Sequence, residues 1–133
     1  MGDIVIDSSA LLAILFFENE ADYIKQAIAD SDKIYISAAT YTETGIVFDS
    51  SEYAKKNPKE LDTLLSIISA EIVPVTESQA IQARKAYKKF GKGKHSAKLN
   101  MVDCFSYALA KDKNLPLLYK GNDFSKTDIV SVL

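Results

Sequence analysis

Asp3-Ile4-Val5-Ile6-Asp7-Ser8-Ser9-Ala10-Leu11-Leu12-Ala13-Ile14-Leu15 decides how the rest of the chain is read. Ile4-Val5-Ile6 is a run of β-branched residues, the composition of a strand buried on both faces of a parallel sheet. The alanine- and leucine-rich segment directly after it reads as a helix. Asp7 falls at the joint, with the hydroxyls of Ser8 and Ser9 beside it. In open parallel α/β sheets the carboxyl ends of the strands collect chemistry, because loops and helix N-termini converge there over a rigid floor. Asp7 also has an ordinary structural use as a helix cap, accepting an amide N–H of the first turn.

Outward from this unit, the alternation of strand and helix continues. Glu20 to Asp30 reads as a second helix, with Ala21, Ile24, Ala27 and Ile28 at helical spacing. Ile34-Tyr35-Ile36 reads as a second strand, followed by Ser37 as cap and a helix from Ala38 to about Tyr53. That helix carries Glu43 near its start, where a carboxylate also complements the helix dipole. Asn57-Pro58 breaks the pattern and a helix with Leu61, Leu64, Leu65 and Ile68 on its buried stripe restarts beyond it. Ile72-Val73-Pro74-Val75 is expected as a third strand near a sheet edge, since Pro lacks an N–H. Thr76 and Gln79 form a capping-box pattern opening a helix whose inward residues are Ala80, Ala83 and Tyr87.

Gly91-Lys92-Gly93-Lys94-His95-Ser96 is a loop. Its two glycines lack the surrounding pattern of a phosphate-binding P-loop. His95, the one histidine, gives no support to a histidine-based metal site or a catalytic triad, and is expected as an exposed loop residue or an RNA contact. Asn100 caps a further helix, with Asp103 three residues on in capping-box register and Val102, Phe105, Ala108 and Leu109 as its apolar face. Leu117-Leu118-Tyr119 reads as a fourth strand, Lys120 to Phe124 as a turn at its carboxyl end, and Ile129-Val130-Ser131-Val132 as a last strand.

The 133 residues are expected to form one domain, 1–133, large enough to bury a core without disulfides. Cys104 is the single cysteine and has no partner in the chain; with no basic-then-apolar leader, a reducing, cytoplasmic setting is expected. No apolar run approaches the ~20 residues that span a membrane. A net charge of −2 gives no overall sign of nucleic-acid binding. The distribution does: no acid stands between Glu77 and Asp103, while seven of the 16 basic residues do, namely Arg84, Lys85, Lys88, Lys89, Lys92, Lys94 and Lys98. Such a run is commonly a solvated helix face, so its neighbours decide its meaning.

Asp7, Glu43 and Asp103 each lie in the cap or first turns of a helix, and Asp123 sits just past a strand. One parallel sheet would bring all four to one rim. Capping accounts for each acid singly and not for the convergence. Carboxylates sharing a cleft raise one another's pKa unless a cation neutralises them. Oxygen donors without Cys or His suit hard Mg²⁺ or Mn²⁺.

At this point Val5 to Leu12, the helix with Thr42-Glu43, the segment Leu99 to Ala110 and the segment Leu117 to Phe124 together resemble a PIN-domain ribonuclease of the VapC toxin type. The resemblance covers the chain in order and length. It implies a three-layer α/β/α sandwich around a parallel sheet of four to five strands, Mg²⁺-dependent RNA cleavage, and inhibition by a co-expressed VapB-type antitoxin. By position it makes Asp7 and Asp103 the main metal ligands, Glu43 and Asp123 the other acids, and Ser9 and Asn100 polar supports. Lys92, Lys94 and Lys98 would hold the RNA backbone that the acids repel. Many relatives carry an acid at the positions of Gly121 or Asn122, so here Asp123 stands alone. Relatives of this type generally form two-fold dimers, and the apolar Leu11, Leu12, Leu15, Phe16 and Phe17 are read as surface for a homodimer.

Other classes make different demands. A PIN-like domain that only binds RNA would be expected to lose acids, and here none is clearly lost; a housekeeping RNA-processing nuclease would keep them all but lack an antitoxin gene next door. A flavodoxin-like phosphoacceptor domain would pair acids early, and Asp3 lies too far back along the first strand to pair with Asp7.

Overall fold

The computed structural model describes residues 2–133. Four strands, β1 (Ile4–Ile6), β2 (Ile34–Ser37), β3 (Glu71–Val73) and β4 (Leu117–Leu118), form one parallel sheet in the order β3-β2-β1-β4. The helices are α1 (Ser8–Leu15), α2 (Ala21–Ala29), α3 (Ala38–Asp49), α4 (Glu52–Lys56), α5 (Glu60–Ile67), α6 (Glu77–Phe90) and α7 (Met101–Lys113). A 3-10 turn over Phe124–Lys126 follows β4.

Side chains alternate across a strand, and the two cores follow that period. Ile4, Ile6, Ile34, Ile36 and Leu118 point into one core with α1, α2 and residues of α3 to α5. Val5 and Leu117 point into the other, under α6 and α7. The result is the expected three-layer α/β/α arrangement. Central β1 is buried on both faces, and β3 lies at an edge, as Pro74 suggested. The chain winds from β1 through β2 to β3, then crosses over to place β4 on the other side of β1. β1 and β4 thus flank the point where the winding reverses, the place at whose carboxyl end open parallel sheets bind ligands.

Several expected elements differ in detail. The last strand does not form: Ser131 makes only an isolated bridge to Leu117, because β4 is two residues long and offers no further ladder before the chain turns away. The helix expected to reach Tyr53 breaks at Ser50-Ser51, where the Ser51 hydroxyl donates to the Phe48 carbonyl at 2.6 Å and accepts the Ala54 N–H at 3.2 Å, the local competition that makes serine a poor helix interior. Thr76 caps α6 by accepting the Gln79 N–H, yet the Gln79 side chain is buried and bonds Asp112 at 3.2 Å instead of closing the box. That turns the inward stripe of α6 to Gln79, Ala83, Ala86 and Phe90, with Ala80 exposed and Tyr87 half-buried.

Of the residues read as dimer surface, Leu11 and Leu15 are buried and Leu12 and Phe16 pack against the first core. Phe17 alone remains outside, 70% exposed, so the apolar surplus of the early helices is mostly absorbed within the chain. Among the described residues no helix is long and apolar enough to cross a membrane.

Candidate metal and catalytic centre

Asp7 ends β1 and caps α1 at once, and it is buried, 2% exposed. Its Oδ2 accepts the Ser9 N–H at 3.0 Å and the Ser9 hydroxyl at 2.8 Å. Its Oδ1 accepts the Ser106 hydroxyl of α7 at 2.6 Å, and Ser106 meets the buried Thr40 hydroxyl of α3 at 2.9 Å. The Lys120 N–H, just past β4, donates to Ser9 Oγ at 3.0 Å. Asp7 is therefore held directly by α1 and α7, with Thr40 of α3 and the Lys120 N–H past β4 backing its two serine partners, the hydrogen bonding that a buried carboxyl requires.

Glu43 lies in the second turn of α3, half-buried, and its Oε1 accepts the Ser8 hydroxyl at 3.0 Å. Burial raises its pKa; the Ser8 bond opposes that rise and the charge of Asp7 adds to it. Asp103 stands in the first turn of α7 inside a complete capping box: Asn100 N–H donates to its Oδ2 at 2.9 Å, and its own N–H donates to Asn100 Oδ1 at 2.8 Å. The structural use of Asp103 as cap and its presence in the cleft coexist, because the box engages Oδ2. Asp103 is pushed up to about 7, chiefly by burial; the Asn100 N–H pulls the other way, and the charges of Asp7, Glu43 and Asp123 add to the rise. Asp123 is exposed, in the loop before the 3-10 turn, and is the weakest of those influences.

The four sequence-predicted acids thus share one electrostatic neighbourhood, tight for Asp7, Glu43 and Asp103 and looser for Asp123. Among the described residues no three of His, Cys, Asp or Glu stand close enough, as their side chains lie, to hold one ion. The donor set nonetheless fits a hard divalent cation: it is all oxygen, Asp7 is locked in place, and the mutual repulsion felt by Asp103 is what a positive charge would relieve.

This electrostatic arrangement sets a pH dependence. A carboxyl with a folded pKa near 7 keeps a proton that the unfolded chain releases near its ordinary value of 3.8, so stability falls as pH rises between those two values. In EDTA, the melting temperature of the wild type is expected to fall more from about pH 5 to about pH 7.5 than that of Asp103→Asn, which cannot titrate there. Parallel melting profiles for the two proteins would remove Asp103 from the shared cleft.

Lys92, Lys94 and Lys98 are exposed on the loop between α6 and α7. The loop is compact, not loose: Leu99 and Ala97 are fully buried beneath it, Lys92 N–H donates to the Leu99 carbonyl at 2.8 Å, and it runs directly into Asn100, the cap that holds Asp103. His95 is half-buried, not exposed; its ring meets Phe90 edge-on at 5.2 Å and its Nδ1 accepts the Ala97 N–H at 3.0 Å. It shapes the loop. Cys104 is buried beside Asp103, and burial pushes its thiol up to about 12, which makes it an inert part of the floor.

Sequence reasoning missed Ser106, Thr40 and the bond from Ser8 to Glu43. The signal for Ser106 was present: it stands three residues after Asp103, on the same side of α7, in a segment otherwise apolar there.

The PIN domain family matches residues 4–130. The chain is 47% identical over 128 residues to Ribonuclease VapC of Mycolicibacterium smegmatis, covering 96% of this chain and 98% of that protein. Among solved structures it resembles Mycobacterium tuberculosis VapC20, described as a Sarcin-Ricin loop cleaving toxin, with a TM-score of 0.76 at 18% identity over 96% of each chain. It also resembles VapBC2 from Rickettsia felis, bound to a DNA fragment from its promoter, with a TM-score of 0.72 at 14% identity over 97% of this chain and 96% of that one. A buried aspartate where the sheet winding reverses, two further acids delivered by α3 and α7, and 47% identity to a VapC ribonuclease over nearly the whole of both chains lead to one conclusion: the chain belongs to the PIN-domain family, among the VapC ribonucleases.

Proposed function

We propose that this chain is a Mg²⁺-dependent endoribonuclease, with Mn²⁺ able to serve, and the toxin of a VapBC-type pair. The observation that supports this most is the convergence of Asp7, Glu43 and Asp103 from β1, α3 and α7 on one rim, where burial and shared charge hold Asp103 near 7. Relatives named as ribonucleases support the substrate class. When bound, the ion supplies the positive charge that lets these acids ionise together and that orients water and the scissile phosphate.

The chain's own residues do the rest. Ser9 and Ser106 hold the Asp7 carboxylate in one orientation, and the Asn100 box holds Asp103. Glu43, with its pKa raised, accepts a proton from the attacking water in this reading, with Asp123 as the supporting acid. RNA cleavage by the purified chain in Mg²⁺ that stops in EDTA, and stops in Asp103→Asn, is the test; cleavage indifferent to both would end the proposal.

The lysine loop holds the strand. Replacing Lys92, Lys94 and Lys98 together with Gln is expected to weaken RNA binding and to lower the salt dependence by about 0.7 in the log–log slope per lost contact. An unchanged slope would return these lysines to a merely solvated surface.

The partner is a VapB-type antitoxin, one segment of which places an Arg or Lys among the acids, where a cation is favoured. The chain is a homodimer in this reading. Exposed Ile46 and Val47, on the turn of α3 after Glu43, are apolar surface available to either contact. Light scattering of the chain alone and with the protein encoded beside it checks both; a strict monomer that ignores that protein and still cuts RNA would leave the nuclease and remove the toxin.

A further inference from the structure

We propose that the cleft between α6 and α7 seats one unpaired base of the RNA, a short distance along the strand from the bond that is cut; this rests on the ribonuclease reading above. The cleft has a volume of about 310 Å³. Tyr87 and Phe105 supply two half-buried aromatic rings, Ala83 and Cys104 a small buried floor, Met101 an exposed thioether and Arg84 an exposed guanidinium. An apolar slot with aromatic walls and an arginine at its edge is the chemistry that takes up an unstacked base, through stacking and cation–π contact.

Charge selects the occupant. α6 and the loop after it carry seven cations and no acid from Ser78 to Val102, so the slot opens on a surface that attracts a polyanion. Tyr87 ties the two features together, its hydroxyl donating to the Lys92 carbonyl at 3.5 Å, so one wall of the slot is joined to the lysine loop.

Position selects which base. At 3.6 residues per turn, Met101 and Phe105 project from the side of α7 opposite Asp103. The slot and the acidic rim are therefore separated by the width of a helix, on the order of 10 Å. A single strand rises about 3.4 Å per stacked nucleotide and more when extended, so it passes round the start of α7 in roughly two or three nucleotides. The seated base is a neighbour of the cut, and the slot imposes a preference at that flanking position.

The experiment scans 2-aminopurine through a single-stranded oligoribonucleotide that the wild type cuts, with binding followed by fluorescence in EDTA. One position within roughly three nucleotides of the cut bond is expected to be quenched on binding. Phe105→Ala, Met101→Ala and Arg84→Gln are each expected to relieve that quench, and Phe105→Ala to weaken binding roughly five-fold or more. In Mg²⁺ the same variants should cut with a flatter base preference at that position. Met101 is 68% exposed and Arg84 is also on the surface, so those two variants report on the slot even if Phe105→Ala melts early. An unchanged quench and unchanged preference in Met101→Ala and Arg84→Gln overturns the proposal. So does intact RNA handling combined with loss of capture by the antitoxin, which would give the slot to a protein segment. A wild type that neither binds nor cuts RNA brings down the ribonuclease reading and this inference with it.

Discussion

Asp103→Asn is expected to lower RNA cleavage by about two orders of magnitude or more while the protein melts at or slightly above the wild-type temperature in metal-free buffer at neutral pH. The two readouts separate because Asp103 does two jobs with different needs. Its cap function requires an oxygen to accept the Asn100 N–H, which an Asn side chain can still present. Its place in the cleft requires negative charge. In the absence of a cation that charge is opposed by burial and by Asp7, Glu43 and Asp123, so removing it relieves the fold while depriving the ion of a ligand. Cleavage at the wild-type rate by the variant in Mg²⁺ would remove Asp103 from the reaction. A large fall in melting temperature would instead make Asp103 chiefly a cap. The measurements are a fluorescence-reporter cleavage assay and a thermal melt on the same preparation.

Ser106→Ala is expected to cost about 2–4 kcal/mol of stability and to raise the Mg²⁺ concentration needed for half-maximal cleavage roughly 10- to 100-fold. Ser106 is completely buried and has a single hydroxyl proton. It gives that proton to Asp7 Oδ1 at 2.6 Å, so the bond to Thr40 at 2.9 Å runs with Thr40 as donor. Deleting the oxygen leaves a buried carboxylate oxygen and a buried Thr40 hydroxyl without these partners, and burying unpaired polar groups is among the costlier single changes. For a chain of 133 residues the melting temperature should drop on the order of 10 °C. Thr40→Val combined with Ser106→Ala should cost less than the two changes summed, because the pair acts as one chain of donors. The metal dependence moves because Ser106 orients Asp7 and touches no substrate. Unchanged stability together with an unchanged Mg²⁺ requirement would show that Asp7 is held by Ser9 alone.

Much of this is legible in the amino-acid sequence. Ile4-Val5-Ile6 followed at once by an alanine-leucine helix carries its own meaning, because a β-branched run with no polar alternation has to be covered on both faces. The cap residues Asp7, Ser37, Thr76 and Asn100 all cap as expected, since capping depends on side chains within three residues of the helix start. What failed was also local in appearance but tertiary in cause. The box at Thr76 stays open because Asp112, 33 residues on from Gln79, offers the Gln79 amide a partner. His95 is half-buried because Phe90 lies beneath it. The final strand is absent because β4 is too short to receive it.

Local chemistry along the chain dictates the alternation of strands and helices, the parallel sheet that follows from it, and the identity of the acids that could meet at its rim. These rest on hydrophobic period and on chemistry within a few residues, which a single chain displays openly. Tertiary structure alone decided how those acids stand. Ser106 reaches Asp7 across 99 positions and Ser8 reaches Glu43 across 35, and neither spacing has any period to betray it. The rise of Asp103 toward neutrality likewise comes first from burial and then from charges carried by other elements, which exist only once β1, α3 and α7 have packed together.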